Sequence, residues 1–219
     1  MSPTPQRRFP LARLAPAALL SAMLALSACA TAASLRSAAT PLDTYTLNPL
    51  ASPAATQSGS RIVYVADPTA NAAIAGDRIA IKPNSIQVAL LGDGRWIEAL
   101  PLHVRNVLAR SLANTGRFAF VGTSTVGPLP DFTLLTDIDA FQAETTGGGD
   151  PARVVVSMTL TVLRDVDGRL VASRHFVQTA NAPATDARSL VLAFDAANGA
   201  LLRDAVPWAT SVMTGRPSS

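Results

Sequence analysis

RVVVSMTLTVLRDVDGRLVASRHFVQT, at residues 153–179, contains two runs of alternating polar and apolar side chains joined by a short turn. In the first run, apolar side chains recur at every second position from 154 to 162. This period of two is typical of a β-strand that buries one face. Asp167-Gly168 is a strong signal for a tight hairpin turn, and residues 170–179 return as the second strand. The stretch therefore predicts a long antiparallel hairpin.

A third strand and a helix flank this hairpin. Residues 132–141 also alternate, and three glycines at 147–149 make the turn that follows. The apolar face of this strand consists of Phe132, Leu134, Ile138 and Ala140. After the hairpin, Asp186 can cap a helix because its carboxylate accepts hydrogen bonds from first-turn N–H groups. Pro207 is expected to end or kink that helix, because proline has no N–H to donate.

Upstream of these elements the sequence predicts short strands and one strong helix. The helix lies between Pro101, which suits a first turn, and Gly116, which suits the left-handed C-terminal position. Its apolar stripe consists of Leu100, Val104, Val107, Leu108, Ser111 and Leu112, with His103 on the polar flank. Strands are predicted at residues 61–66, 78–82, 86–91 and 118–121, with a sharp turn at Gly92-Asp93-Gly94. The order predicts an α/β fold in a single domain, with a mixed, largely antiparallel sheet covered by two main helices.

The first thirty residues set the domain organisation. Three arginines precede an apolar run of 13 residues at 14–26, which is shorter than the ~20 residues of a membrane-spanning helix and typical of a secretory signal. The run ends in Leu26-Ser27-Ala28-Cys29, which resembles the lipobox of bacterial lipoproteins. This resemblance implies cleavage before Cys29, the single cysteine of the chain, and acylation of its thiol and amine. A conventional signal with an incidental cysteine is the alternative.

We therefore divide the chain into three parts. Residues 1–28 are a lipoprotein signal peptide, residues 29–60 are a lipidated cysteine with a flexible tether, and residues 61–214 are the domain. The tether is rich in Ala, Ser, Thr and Pro, as linkers are, and Tyr45-Thr46-Leu47 interrupts it as an edge strand. Ala30 follows the cysteine, where an Asp would indicate retention in the inner membrane. We therefore expect the outer membrane, on its periplasmic face.

The charge of the chain argues against nucleic acid as a partner. The whole chain has 18 basic and 15 acidic residues, for a formal net charge of +3. The signal peptide removes three arginines and no acidic residue, so the mature chain is neutral. A neutral domain has no electrostatic attraction for nucleic acid or for anionic headgroups.

Residues typical of catalysis or metal binding are sparse. The two histidines, His103 and His175, are far apart in the sequence, and surface positions are expected for both. No motif for a nucleophile, a zinc site or a phosphate loop is present. Asp165 and Asp167 belong to the hairpin turn and lack the ligand spacing of a calcium loop. We therefore predict no enzymatic activity, no cofactor and no metal.

Arg95-Trp96 is the one pair of residues with the chemistry of a binding site. The indole of Trp96 either caps the core or, together with Arg95, forms an exposed anchor for a partner. Trp and Arg are enriched in interface hot spots, so both residues are candidate partner-binding residues, and the sequence leaves the two interpretations open.

Residues 77–118 resemble a known family. They contain a strand pair, then Arg95-Trp96-Ile97-Glu98-Ala99-Leu100-Pro101, a leucine-rich helix and Thr115-Gly116-Arg117-Phe118. Together with the lipobox and Tyr45-Thr46-Leu47, this block is similar to the ABC-type transport auxiliary lipoproteins, which include the lipoprotein encoded with the paraquat-inducible membrane proteins. The resemblance covers most of residues 43–206. At residues 87–91 this chain reads QVALL, where many members carry more tyrosine.

The resemblance implies a non-catalytic subunit of a lipid transport system. Such a subunit would dock a periplasmic substrate-binding protein of the mammalian-cell-entry (Mce) type, which works with an ABC permease and ATPase, and a ring-like homo-oligomer is compatible with it. The alternative is a stand-alone periplasmic lipid carrier, which requires a sizeable apolar pocket. A hydrolase is the weakest hypothesis, because the sequence shows no nucleophile and base pair.

Overall fold

The structure, a computed structural model, describes residues 42–51, 59–145 and 151–215. The signal peptide, Cys29, most of the tether and the glycines at 147–149 lie outside the described residues. The described elements are β1 (Asp43–Tyr45), β2 (Ile62–Val65), β3 (Thr69–Ala70), β4 (Arg78–Lys82), β5 (Ala89–Trp96), α1 (Leu100–Asn114), β6 (Phe120–Gly122), β7 (Phe132–Thr145), β8 (Ala152–Arg164), β9 (Arg169–Ala182) and α2 (Ala187–Thr214).

The strands form one mixed sheet with the long strand β7 at its centre. One edge of β7 pairs antiparallel with β8, and β8 pairs antiparallel with β9. The other edge pairs in parallel with β2, β3 and β4 in turn. β4 then pairs antiparallel with β5, β5 pairs in parallel with β1, and β2 pairs in parallel with β6. The long registers are antiparallel and the sheet stays open, so the predicted α/β class with a mixed sheet is confirmed.

The β8–β9 hairpin has the face and the turn that the sequence predicts. Its inward side chains are fully buried: Val154, Val156, Met158, Leu160 and Val162. At the turn, Gly168 has a φ of 63°, the left-handed conformation that glycine adopts at no steric cost. Burying five large apolar side chains on one strand stabilises the fold by roughly 1.5–3 kcal/mol each.

In the second half of β7, the side chains that face the core are not the ones that the sequence predicts. The register with β8 shifts between Ile138 and Ala140, as a β-bulge does when it inserts one extra residue. Because side chains alternate with a period of two, one extra residue exchanges the two faces. Phe141 and Ala143 are therefore buried, and Ala140, predicted to face inward, is only half-buried.

The sharp turn predicted at Gly92-Asp93-Gly94 is wrong, because these residues lie inside β5. Between the pairs Arg78↔Arg95 and Ala80↔Leu90, β4 advances by two residues and β5 by five. The extra residues of β5 bulge out of the ladder. Glycines suit such a bulge as well as a turn. The hairpin of β4 and β5 turns earlier, at residues 83–88, which we call the hairpin tip.

Both helices cover the same face of the sheet. The predicted apolar stripe of α1 is buried, and Gly116 has the expected positive φ of 64°. The carboxylate of Asp186 caps α2 by accepting a hydrogen bond of 3.0 Å from the Ser189 N–H. The helix does not end at Pro207 but continues to Thr214. Buried apolar residues on both sides of the proline, among them Val206 and Ala209, hold the two halves of the helix on the sheet.

Residues 42–51 belong to the domain, although the sequence assigned them to the tether. β1 pairs with β5 from Asp43↔Gly94 to Tyr45↔Trp96, and Leu47 is buried in the core. The predicted domain boundary therefore moves from residue 61 to residue 42, because the edge strand is part of the sheet.

The sheet has two distinct ends. β4 and β7 run in parallel with Lys82 opposite Glu144, so the hairpin tip lies beside the C-terminal end of β7. The β8–β9 turn lies at the other end, where Phe132 pairs with Arg164. Twelve residues separate Phe132 from Glu144, which corresponds to about 40 Å along the strand.

Candidate functional site

Trp96 lies in the core. Its side chain is 1% exposed. Its ring makes edge contacts with Phe141 (5.8 Å between centroids) and Phe194 (5.4 Å), and it stacks on the His103 ring at 6.3 Å. Aromatic pairs favour such edge-to-face geometry. An exposed anchor requires an accessible indole, so in this structure Trp96 joins the sheet to both helices and caps the core.

Arg95, the other candidate, is accessible. Its guanidinium is half-exposed and lies 3.6 Å from the Asp77 carboxylate, which is also partly exposed. An exposed pair at this distance contributes little to stability. The side chain of Arg95 is therefore free to exchange Asp77 for another acceptor, while the Trp96 beside it is not available.

His103 is buried rather than on the polar flank where the sequence placed it. It is 4% exposed. Its Nε2 accepts a hydrogen bond of 2.9 Å from the Leu47 N–H, so Nε2 carries no proton. Nδ1 carries the proton and donates it to Glu98 Oε1 at 3.2 Å. The ring is thus a satisfied core histidine that ties the start of the domain to α1.

Residues 46–50, which we call the strap, cross the helices and are held there by side chains. Besides the bond to His103, the strap makes two hydrogen bonds with Asp195: Asn48 N donates to Oδ1 at 2.8 Å and Asn48 Nδ2 donates to Oδ2 at 3.0 Å. It makes two more through Leu50, whose N–H donates to Ser111 Oγ at 2.9 Å and whose carbonyl oxygen accepts from Asn114 Nδ2 at 3.0 Å. Asp195 belongs to α2, and Ser111 and Asn114 to α1. The strap therefore links both helices to β1.

Ser157, His175 and Asp139 come together on the sheet face that the helices leave uncovered. Ser157 Oγ is 2.8 Å from His175 Nε2, and Asp139 Oδ2 is 3.5 Å from the same nitrogen. In a catalytic triad, the serine and the carboxylate meet opposite nitrogens of the imidazole, so that one orients the ring while the other loses its proton. Here both meet one nitrogen, so the cluster lacks the triad arrangement that the hydrolase hypothesis needs.

The end of the sheet remote from the hairpin tip carries exposed apolar side chains that sequence reasoning missed. Val126 is 88% exposed, Leu129 is 89% exposed and Val166 is 86% exposed. We call these three residues the distal rim. Val166 lies in the β8–β9 turn, and Leu129 lies in the loop that reaches it, since Asp165 N donates to Asp131 O at 3.0 Å. One feature of the sequence could have indicated this surface. Val166 is an isolated apolar residue between Asp165 and Asp167, in a turn that needs no apolar side chain.

Two depressions flank the distal rim. A groove of about 540 Å³ is lined by Arg61, Phe132 and Arg164 together with the rim residues Leu129 and Val166. A cleft of about 270 Å³ lies beside it, between β2, β6 and the loop that follows β6. Arg61 is paired with Asp131 at 2.9 Å, and Arg164 is paired with Asp167. The rim is therefore an apolar surface bordered by balanced charge.

A third groove of about 640 Å³ runs beside the strap and α1. Its walls are mixed, with polar Glu98 and Asn106 beside Leu47 and Val107. Within the described residues, the buried Trp96, Phe141 and Phe194 pack together and fill the space between the two helices and the sheet.

The part of the chain that the structure describes contains neither a group of metal ligands nor a membrane-spanning helix. There, no three His, Cys, Asp or Glu side chains form a group that could hold a metal ion. Within the same residues, no helix combines the length and the apolar character needed to cross a bilayer.

Comparison with known proteins identifies relatives. A family model described as "ABC-type transport auxiliary lipoprotein component" matches residues 45–206. No curated protein sequence matches the chain. The crystal structure of protein XCC0632 from Xanthomonas campestris aligns with a TM-score of 0.70 at 22% identity, over 80% of this chain and 98% of that one. A crystal structure of an uncharacterized protein aligns with a TM-score of 0.58 at 17% identity, over 77% and 99%. At these identities the two structures support the fold alone.

Proposed function

This chain belongs to the ABC-type transport auxiliary lipoprotein family, and on that premise we propose that it is the non-catalytic docking subunit of a lipid transport system of the Mce type. Acyl chains on Cys29 anchor it to the periplasmic face of the outer membrane. The domain docks the Mce-type periplasmic substrate-binding protein, which works with the ABC permease and ATPase.

The distal rim is the observation that carries this proposal. Three large apolar side chains, each more than 85% exposed, lie in the loops at one end of the sheet, and two of them, Leu129 and Val166, line one groove together. Single exposed apolar residues are ordinary, but a cluster bordered by polar residues is typical of a protein-binding surface. The grooves beside the rim give a partner side chain somewhere to insert. The rim thus has the chemistry of a docking site for a protein with apolar surface residues.

The position of the rim also suits an anchored docking subunit. β1 is parallel to β5, which begins at the hairpin tip, so the N-terminal end of β1 points toward the end of the sheet remote from the rim. The lipid anchor precedes β1 in the sequence. When the N-terminal end of β1 faces the membrane, the rim lies at the opposite end of the sheet and faces the periplasm.

Lipidation of Cys29 supplies an anchor of sufficient strength. A single acyl chain binds a bilayer only marginally, whereas two or more give stable attachment. Arg95 is proposed as an accessory partner contact, because its guanidinium is accessible and its bond with Asp77 is weak.

The test is a membrane pull-down of the lipidated chain with mass spectrometry of the recovered proteins and lipids. We expect an Mce-type protein, the ABC permease or its ATPase to be recovered. The double variant Leu129→Asp with Val166→Asp should lose that recovery, since two carboxylates replace the apolar rim. Leu192→Asp is the matched control, because Leu192 is also an exposed apolar residue but lies on α2. Arg95→Ala reports on the accessory contact.

Three outcomes would each overturn one part of this proposal. If the rim variant and the control recover the partner equally, the rim is not the docking site. If stoichiometric phospholipid is recovered with no protein partner, the chain is a carrier. If mass spectrometry finds an unmodified Cys29, the anchor proposal fails. Trp96→Ala is unsuited to this test, because removing a buried indole perturbs the fold itself.

A further inference from the structure

The β4–β5 hairpin ends in exposed apolar side chains that neither the core nor the docking proposal uses. In the hairpin tip, Ile86 is 94% exposed and Val88 is 45% exposed; Leu90, at the start of β5, is 51% exposed. Val88 and Leu90 stand two positions apart where the chain leads into β5, so they share one side, and Ile86 lies in the bend that precedes them. The tip therefore presents an apolar edge that projects beyond the sheet.

Two backbone N–H groups of the tip are already hydrogen-bonded within the tip itself. Asn84 Oδ1 accepts hydrogen bonds from the N–H groups of Ile86 (3.1 Å) and Gln87 (2.9 Å). Its Nδ2 donates to the Gln87 side chain at 3.2 Å. An unsatisfied N–H costs a few kcal/mol in an apolar environment. The Asn84 side chain removes that cost for the two residues at the most exposed part of the tip.

The N-terminal end of β1 points toward the tip. Asp43 lies opposite Gly94 in the parallel pair with β5, five residues from the start of β5, which corresponds to at most about 17 Å because the bulge shortens the path. Thirteen residues lead from Cys29 to Leu42, and a chain of that length spans at most about 45 Å. That reach exceeds the distance from Asp43 to the tip, so a bilayer holding Cys29 can touch the tip without strain.

Charge at the tip permits contact with a phospholipid surface. Residues 78–92 contain Arg78 and Lys82 and no acidic residue. Glu144 lies opposite Lys82, but its carboxylate is paired with Arg153 at 3.0 Å. A chain that is neutral overall has no long-range attraction to a bilayer, so contact must come from the apolar side chains.

Carboxylates near the β5 bulge limit how deeply the tip can enter a bilayer. Burial raises the pKa of the Tyr45 hydroxyl, and the nearby charges of Asp43, Asp93 and Asp186 raise it further. These three carboxylates therefore lie near Tyr45, whose hydroxyl donates to Asp43 Oδ2 at 3.5 Å, and Asp93 belongs to the β5 bulge. Because ionised carboxylates stay in water, insertion is limited to the tip.

We propose that the hairpin tip inserts Ile86, Val88 and Leu90 into the boundary between headgroups and acyl chains of the leaflet that holds the acylated Cys29. The proposal rests on the lipid anchor of the proposed function. The anchor fixes only how far the domain can move from the bilayer. The tip adds a second contact that fixes its orientation, with the distal rim facing away.

Fluorescence quenching tests this contact on the full lipidated chain. Ile86→Cys supplies a free thiol for a bimane label, since the lipid occupies Cys29, and Val166→Cys labels the distal rim as the control. The chains are reconstituted into vesicles of phosphatidylethanolamine and phosphatidylglycerol that carry nitroxides on the acyl chains. We expect blue-shifted emission and several-fold stronger nitroxide quenching at position 86 than at position 166. Val88→Asp in the chain labelled at 86 should reduce that quenching, and Leu192→Asp should not.

Equal emission and quenching at the two positions would overturn the proposal. A blue shift at position 86 without nitroxide quenching would also overturn it, because the tip would then be covered by protein, such as a second copy of the chain. Vesicle flotation of the same samples reports separately on the anchor. A chain with a histidine tag in place of the lipid, held on nickel-chelating headgroups, tests the tip even if Cys29 is not acylated.

Discussion

At the scale of single residues, Trp96 is the largest fully buried side chain among the described residues, and it packs between the sheet and the helices. Replacing it by alanine removes the edge contacts with Phe141 and Phe194 and leaves a cavity. Truncating a buried tryptophan costs about 3–5 kcal/mol. We therefore expect Trp96→Ala to lower the free energy of unfolding by that amount, measured by urea denaturation followed by circular dichroism.

The neighbouring residue provides the control for that measurement. Arg95 is half-exposed and only weakly paired with Asp77, so Arg95→Ala should change stability by no more than about 0.5 kcal/mol. A Trp96→Ala variant as stable as Arg95→Ala would show that the indole is not packed as described.

Also at this scale, the cap of α2 gives a pH-dependent prediction. The hydrogen bonds from Ser189 hold the pKa of the Asp186 carboxyl below its ordinary value. A carboxyl with a lowered pKa in the folded state stabilises the fold above its unfolded pKa and stops doing so as the pH falls through the folded value. Asp186→Ala should therefore be less stable than the parent at neutral pH, and the difference in melting temperature should shrink below about pH 4. A difference that stays constant down to pH 2 would contradict the ionised cap.

At the scale of elements, the bulge in β5 is the feature with the sharpest consequence. A Cβ atom on Gly94 would lie 3.0 Å from both the Ala187 Cβ and the Tyr45 Cε2, whereas one on Gly92 would meet nothing within 4 Å. Overpacking of this kind costs about 1–3 kcal/mol. We expect Gly94→Ala to destabilise the domain by that amount, and Gly92→Ala to be neutral within about 0.5 kcal/mol, in thermal denaturation. Equal effects of the two substitutions would mean that α2 and β1 do not meet at Gly94.

The elements that could be predicted from the sequence are those whose information is local. Helix α1 has its stripe, its early proline and its terminal glycine within a few residues, and the β8–β9 hairpin has its alternation and Asp167-Gly168. The bulge in β5 could not be predicted, because Gly92-Asp93-Gly94 suits a turn equally well. Only the pairing with β4 decides whether these residues form a turn or a bulge. Phe141 faces the core for the same reason, since the bulge in β7 is set by its register with β8.

The candidate site was less predictable than the fold. Trp96 stood out by residue type, but whether an indole is buried depends on residues far away in the sequence, such as Phe194. His103 looked like a surface residue because the strap that covers it comes from residues 46–50. The distal rim was missed because Leu129 and Val166 come together only through a contact between two loops.

At the scale of the whole molecule, the domain depends on its first ten residues, 42–51. We expect a chain that begins at residue 52 to be markedly less stable than one that begins at residue 42. The shorter chain loses β1 and the strap, so it exposes the edge of β5 and leaves His103, Ser111 and Asp195 without their partners. Differential scanning calorimetry of the two chains measures the effect. Matching melting temperatures would show that the domain starts at residue 61, as the sequence alone predicts.

The parallel pairing of β1 with β5 also has a mechanical meaning. Tension applied between the N-terminus and the distal rim acts along the axis of β1, so the hydrogen bonds that join β1 to β5 are loaded in shear and share the force. An edge strand pulled sideways would instead open one bond after another, like a zipper. The bonds of the strap pass the remaining load to α1 and α2. The attachment therefore resists stretching best along the line that runs from the N-terminal end of β1 toward the distal rim.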